Sequence, residues 1–85
     1  MQTINYTIKD SEGIHARPAG VLVKVAKEFE ASIKMRKDDK DADCKKIFAV
    51  MGLCVKCGET IQIVVDGKDE NEAAQAVLKC LEENL

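Results

Sequence analysis

The stretch "ETIQIVVDGKDENEAAQAVLKCLEENL", residues 59–85, changes its apolar rhythm partway along. Ile61, Ile63 and Val65 come at every second position, the spacing of a strand with one buried face. Asp66-Gly67 is a stop signal. Beyond it Ala74, Val77, Leu78, Leu81 and Leu85 recur at helical spacing, and Asp69 with Glu72 resembles a capping box in which Asp replaces Ser or Thr. A one-sided strand and a one-sided helix each need a partner layer for their apolar face. Their direct succession predicts a sheet covered by helices on one side.

The same two rhythms organise the rest of the chain. "TINYTIK" (3–9) alternates through Ile4, Tyr6 and Ile8, and "ASIKMRK" (31–37) through Ile33 and Met35. "DDKD" (38–41) reads as a turn and "ADC" (42–44) as a short edge strand. Helical spacing runs from Ala16 to about Phe29 through Ala19, Leu22, Val23 and Ala26, and again briefly in "KKIFAVMGL" (45–53), which ends near Gly52. The order is βαββαβα. Alternating strands suggest an antiparallel sheet with one solvated face. The expected architecture is therefore a two-layer α+β open-faced sandwich, with four antiparallel strands covered on one face by three helices. One domain over residues 1–85 is expected.

Composition narrows the function. A chain of 85 residues has room for one modest core. Its 13 Lys plus Arg against 15 Asp plus Glu lack the basic excess of a general nucleic-acid binder. No apolar run approaches the length of a bilayer span. "MQTINYTIKD" has neither the basic nor the apolar segment of a secretory leader, so a cytoplasmic location without membrane insertion is expected. Cys54 and Cys57 form a CxxC pair, but Cys44 and Cys80 stand alone, whereas zinc modules bring two tight pairs. Reduced, partly buried thiols are expected, ahead of a redox pair or a metal site. No cofactor is expected.

The chemistry concentrates in "GIHARPAGVL", residues 13–22, which holds the only histidine and the only proline of the chain. A helix starting at Ala16 makes His15 its cap residue and puts Pro18 in the first turn, where a missing N–H costs nothing. The free N–H groups there, starting with that of Ala16, and the positive end of the helix suit an anion. Arg17 adds a guanidinium matched to phosphate oxygens. A neutral imidazole is a competent nucleophile near neutral pH, and the helix end disfavours its protonated form. Gly13 lets the backbone enter at a tight angle. The constellation suits a histidine that carries a phosphoryl group. The alternative is a surface histidine that happens to lie at a helix start.

Residue for residue, "GIHARPAGVL" resembles the phosphohistidine motif of the HPr family, the phosphocarriers of the bacterial phosphoenolpyruvate-dependent sugar phosphotransferase system. "KKIFAVMGL" resembles the family's short second helix, and "GETIQIVVDGKDENEAAQAVL" its last strand and final helix, so the likeness covers essentially the whole chain. The resemblance implies that His15 accepts a phosphoryl group from phospho-enzyme I on Nδ1 and passes it to sugar-specific enzyme II A domains. It implies that Arg17 stabilises the group in transit, and that Ile14, Ala19, Ile47, Phe48 and Met51 form or flank an apolar docking patch. A stoichiometric carrier acting as a monomer, rather than a free-standing enzyme, is expected. A regulatory or nitrogen-related branch of the same chemistry, and an interaction module that does not transfer, remain open.

From the residues themselves, Arg17, Lys24 and Lys27 fall on one helical face, and Lys45 and Lys46 open the second helix. Such a basic face would steer the carrier toward acidic partners. Two departures from the family stand out. Lys46 occupies a position where many Gram-positive members carry a regulatory serine, and a lysine cannot cap a helix as serine does. Cys54 stands where the family commonly has glycine.

Overall fold

Ile33, Met35, Ile61, Ile63 and Val65 are all completely or almost completely buried, while their strand neighbours face outward, so the alternation in the sequence becomes the inner face of a sheet. The computed structural model describes residues 1–85. Its elements are β1 (Gln2–Thr7), α1 (Ala16–Ala26), β2 (Ser32–Lys37), β3 (Lys40–Asp43), α2 (Ile47–Gly52), β4 (Thr60–Asp66) and α3 (Glu70–Asn84). The four strands form one antiparallel sheet in the order β1-β4-β2-β3. Its register aligns Ile4, Ile63, Met35 and Ala42 in one row across all four strands. The βαββαβα order and the open-faced sandwich are those read from the sequence.

One cluster of 22 buried apolar residues fills the space under the helices, and no polar or charged side chain is buried. Stability therefore comes from apolar burial, about 1.5–3 kcal/mol for each fully buried Val, Leu or Ile. The polar side chains are left at the surface, where function can use them.

Several local expectations need correction. The buried stripe of α3 is Ala73, Val77, Cys80 and Leu81, joined by Leu85 beyond its end, whereas Leu78 is exposed and Ala74 half-buried. The stripe is rotated because the helix also packs on α1 and β1, which the helical period alone does not reveal. The capping box is absent. Asp69 sits at the N-cap but accepts no capping N–H from its own helix; its carboxylate accepts the N–H groups of Glu30 at 2.9 Å and Ala31 at 2.8 Å. Those two bonds, led by the one from Glu30, hold the Asp69 carboxyl below its ordinary range.

Helix α1 stops at Ala26, short of Phe29. After the Lys27 N–H bond to the Val23 carbonyl, Glu28 and Phe29 bond three residues back, to Val25 and Ala26, and the chain leaves the helix through a tighter turn. The edge strand begins at Lys40, two residues earlier than expected, because a two-residue turn at Asp38 and Asp39 lets Lys40 pair with Lys37.

Candidate functional site

His15 is the N-cap residue of α1, in an extended conformation, and its side chain makes no bond to the helix it caps. The His15 carbonyl accepts the Ala19 N–H at 3.0 Å, which closes the first turn. Pro18 contributes no donor, and the first turn contains no acidic residue. The N–H groups of Ala16 and Arg17 therefore face the entrance of the helix without a helical partner. The imidazole is 36 % exposed, enough for a reacting group to reach it. His15 and Arg17 line an open depression of about 340 Å³ together with Asp10, Glu12, Pro18, Glu83 and Asn84.

The approach to His15 is tightly held. Gly13 has φ +70° and its N–H bonds to the Asp10 carbonyl at 2.9 Å. A Cβ at Gly13 would collide with the Val55 carbonyl oxygen and lie 2.8 Å from Lys56 Cα. Only glycine fits there. Next to it, the Ile14 N–H donates to that same Val55 carbonyl at 3.0 Å. The segment after α2 thus fixes the backbone one residue before the histidine.

That segment is itself anchored. Lys37 Nζ donates to the carbonyls of Leu53 at 3.3 Å and Cys54 at 3.0 Å and pairs with Glu59 at 3.0 Å. Glu59 also accepts the Lys56 N–H at 2.7 Å, and this bond, followed by Lys37, lowers its carboxyl from the ordinary value. Cys54 has φ +53°, the left-handed region. The glycine common in the family at this position is thereby explained: it ends the helix without the steric cost a Cβ brings.

Two carboxylates beside the imidazole are absent from the sequence reading. His15 Nε2 lies 3.5 Å from a Glu12 oxygen and 3.8 Å from an Asp10 oxygen. The signal available in the sequence is the pair of acids in "DSEG" (10–13), which lie five and three residues before His15. The donor atoms of Asp10, Glu12 and His15 lie within 4.8 Å of one another. Glu12 is 72 % exposed, so the group is a solvated acid pair beside an imidazole, and no metal is assigned to it.

The expected docking residues divide. Phe48 is 86 % exposed and Ile47 and Met51 are half-buried, so one side of α2 presents an apolar surface near α1. Ala19 is completely buried and Ile14 is 6 % exposed. Neither can form the surface of a patch; they belong to the core beneath it. Arg17, Lys24, Lys27 and Lys46 are exposed, but Lys45 is drawn inward, its Nζ donating to the Phe29 carbonyl at 2.8 Å. Lys46 is the N-cap of α2 and makes no side-chain cap. All four cysteines are free: Cys54 and Cys57 are exposed, whereas Cys44 and Cys80 are buried. Burial pushes the Cys44 thiol up to about 12. No helix is long and apolar enough to cross a membrane.

Fold and site together define a small α+β protein that presents one histidine at an anion-receptive helix end. The family described as "PTS HPr component phosphorylation site" matches residues 2–83. Phosphocarrier protein HPr of Lysinibacillus sphaericus is 42 % identical over 83 residues, which cover 98 % of this chain and 94 % of the relative. Among solved structures, the histidine-containing phosphocarrier protein of a mycoplasma shares 35 % identity with a TM-score of 0.94, over 96 % of this chain and 93 % of that one. HPr-C-His of Thermoanaerobacter tengcongensis shares 34 % with a TM-score of 0.93, over 99 % and 94 %. The chain belongs to the HPr family, the phosphocarriers of the phosphotransferase system. It carries a phosphoryl group and is not a catalyst in its own right.

Proposed function

We propose that His15 is the phosphoacceptor, taking a phosphoryl group from phospho-enzyme I on Nδ1 and delivering it to enzyme II A domains in sugar uptake. The observation that carries this reading is a partly exposed imidazole at the cap of a helix whose first-turn N–H groups lack a helical partner. A phosphoryl group on Nδ1 meets the N–H groups of Ala16 and Arg17 and the Arg17 guanidinium, all suited to its oxygens. Phe48, Ile47 and Met51 form the apolar centre of the docking face, and Lys24, Lys27 and Lys46 add positive charge around it. The basic rim fits acidic partner surfaces and acts mainly on the rate of encounter. The carrier works as a single-domain monomer in the cytoplasm.

Incubation with phosphoenolpyruvate and enzyme I tests the assignment. The protein is expected to gain one phosphoryl group that is lost in mild acid and retained in base, as a phosphohistidine is. His15→Ala is expected to gain none while unfolding at nearly the parent temperature. Acid-stable label, or label on the alanine variant, would overturn the assignment.

A further inference from the structure

Asp10 and Glu12 lie on one side of the imidazole, against Nε2, at 3.8 Å and 3.5 Å. The turn that carries them is held in place. One Asp10 oxygen accepts the Glu12 N–H at 2.8 Å, and the other oxygen faces the ring. The Gly13 N–H closes the same turn onto the Asp10 carbonyl, and an added Cβ at Gly13 would meet the backbone of Val55 and Lys56, so the turn lies close against that segment. The Lys9 and Asp10 N–H groups both bond to the Leu85 carbonyl. The turn that carries the two acids is therefore built before any partner arrives.

Resting on the phosphoacceptor reading of His15, we propose that Asp10 and Glu12 are positioning residues that hold a proton on Nε2 throughout the transfer cycle. The two ring nitrogens point to opposite sides of the imidazole. A neutral ring has one N–H and one bare nitrogen, and a carboxylate stabilises an N–H directed at it but repels a lone pair. Two carboxylates against Nε2 place the N–H there and leave the Nδ1 lone pair free.

The same pair then assists the chemistry. When that lone pair forms the Nδ1–P bond, the bond from phosphorus to the donor breaks and its electrons leave with the donor. The ring, still carrying Nε2–H, becomes an imidazolium, and its positive charge appears beside two carboxylates carried on one held turn. On delivery the Nδ1–P bond breaks, its electron pair returns to Nδ1, and the ring departs neutral with Nε2–H in place. No net proton moves in either step. Arg17 lines the same depression and offers its guanidinium to the phosphoryl oxygens, while the acids lie against the ring nitrogen that does not react.

The test uses the full chain with 15N-labelled histidine, comparing the parent with Asp10→Asn, Glu12→Gln, the double variant and Glu12→Asp. Asparagine keeps the oxygen that accepts the Glu12 N–H, so the turn is preserved. In the parent, ring 15N shifts at neutral pH are expected to show a protonated Nε2 and a bare Nδ1. In the double variant they move toward the average of two tautomers. At saturating phospho-enzyme I, single-turnover acceptance by the double variant is expected to fall about three- to tenfold, the size of two partly exposed charge interactions. Glu12→Asp recovers part of the loss, and half-saturation by enzyme I stays within twofold. Parent-like 15N shifts in the double variant, or parent-like acceptance, would overturn the proposal. A parent that accepts no phosphoryl group defeats the carrier reading instead, and the 15N comparison still judges the proton placement.

Discussion

The N-terminal ends of α1 and α3 face the same physical problem and resolve it differently. Each end leaves N–H groups without helical partners and carries partial positive charge. In α3 that charge is answered within the chain: Glu70 and Glu72 lie in the first turn, and Glu70 accepts the Gly67 N–H at 3.2 Å. In α1 the first turn has no acid and its cap is an imidazole that bonds to none of its donors. One end is complete as folded. The other is left with unpartnered donors, the end where the proposed phosphoryl group would sit, and that difference locates function more sharply than the fold, which treats both helices alike as covers for the sheet.

A pair of glycine substitutions tests this contrast most severely. Gly13 precedes α1 and Gly67 precedes α3, and an added Cβ at either meets backbone atoms, Lys56 Cα at 2.8 Å or Ala31 Cα at 2.7 Å. Gly13→Ala and Gly67→Ala are each expected to lower stability by about 2–4 kcal/mol, from left-handed strain and a displaced neighbouring strand or loop. Chemical denaturation measures this. Below the unfolding range only Gly13→Ala is expected to slow phosphoryl acceptance, by at least tenfold. Equal impairment by Gly67→Ala would show that the α1 end is not special.

A smaller effect separates the two ends by pH. The Asp69 carboxyl is held below its ordinary range by the Glu30 and Ala31 N–H groups. A folded value below the unfolded one gives stability that is present above the ordinary carboxylate range and is lost as pH falls through the folded value. Asp69→Asn is therefore expected to lower the melting temperature at neutral pH and flatten its decline in acid, with acceptance unchanged. A decline as steep as the parent's would mean that other carboxylates, Glu59 among them, account for it.

The contrast between the helix ends also explains what was legible in the sequence. Strand alternation and the α1 stripe were readable because each is a local period answered by one buried layer. His15 and Arg17 were readable because the motif and the helix start lie in contiguous residues. The docking side of α2 was implied only by the family resemblance, since helical spacing does not say whether Ile47 and Met51 face the core. The Asp69 bonds were not readable, since their partners are 38 and 39 residues away in sequence. The phase of α3 depended on where α1 and β1 meet it. Asp10 and Glu12 were visible as residues but not as neighbours of Nε2, because that needs the geometry of the Gly13 turn. The burial of Ala19 follows from its place on the α1 stripe, whereas that of Ile14 does not: membership of a motif does not say which side chains face outward.

The segment after α2 supplies a milder test on the α1 side. Cys54 holds φ +53° with a Cβ, and its neighbour Val55 fixes Ile14. Left-handed backbone costs a residue with a Cβ about 1–2 kcal/mol, and the greater freedom of an unfolded glycine returns part of that. Cys54→Gly is expected to stabilise the protein by about 0.5–1 kcal/mol and leave acceptance within twofold. Destabilisation would mean that the exposed thiol makes a contact of its own.

The third helix start, α2, gives the smallest effect and the finest distinction. Lys46 caps it without bonding to it and adds positive charge where α3 places acids and the first turn of α1 has none. The resemblance to the family puts a regulatory serine at this position, whose phosphate would set negative charge beside the docking face and weaken engagement of enzyme I. Lysine cannot carry that phosphate, so HPr kinase with ATP is expected to leave residue 46 unmodified, as mass spectrometry would show. Lys46→Glu imitates only the charge. Because the side chain is exposed, its interaction with an acidic partner is screened, and the change is expected to slow acceptance from enzyme I about two- to fivefold at low salt. The slowing should lie in encounter and fade as salt is raised. Glutamate near the start of α2 also suits the helix better than lysine does, so stability should hold or rise slightly. Slower transfer in a protein no less stable can come only from the partner's side. Unchanged kinetics at low salt would remove Lys46 from the docking face and leave Phe48 and its apolar neighbours to define it.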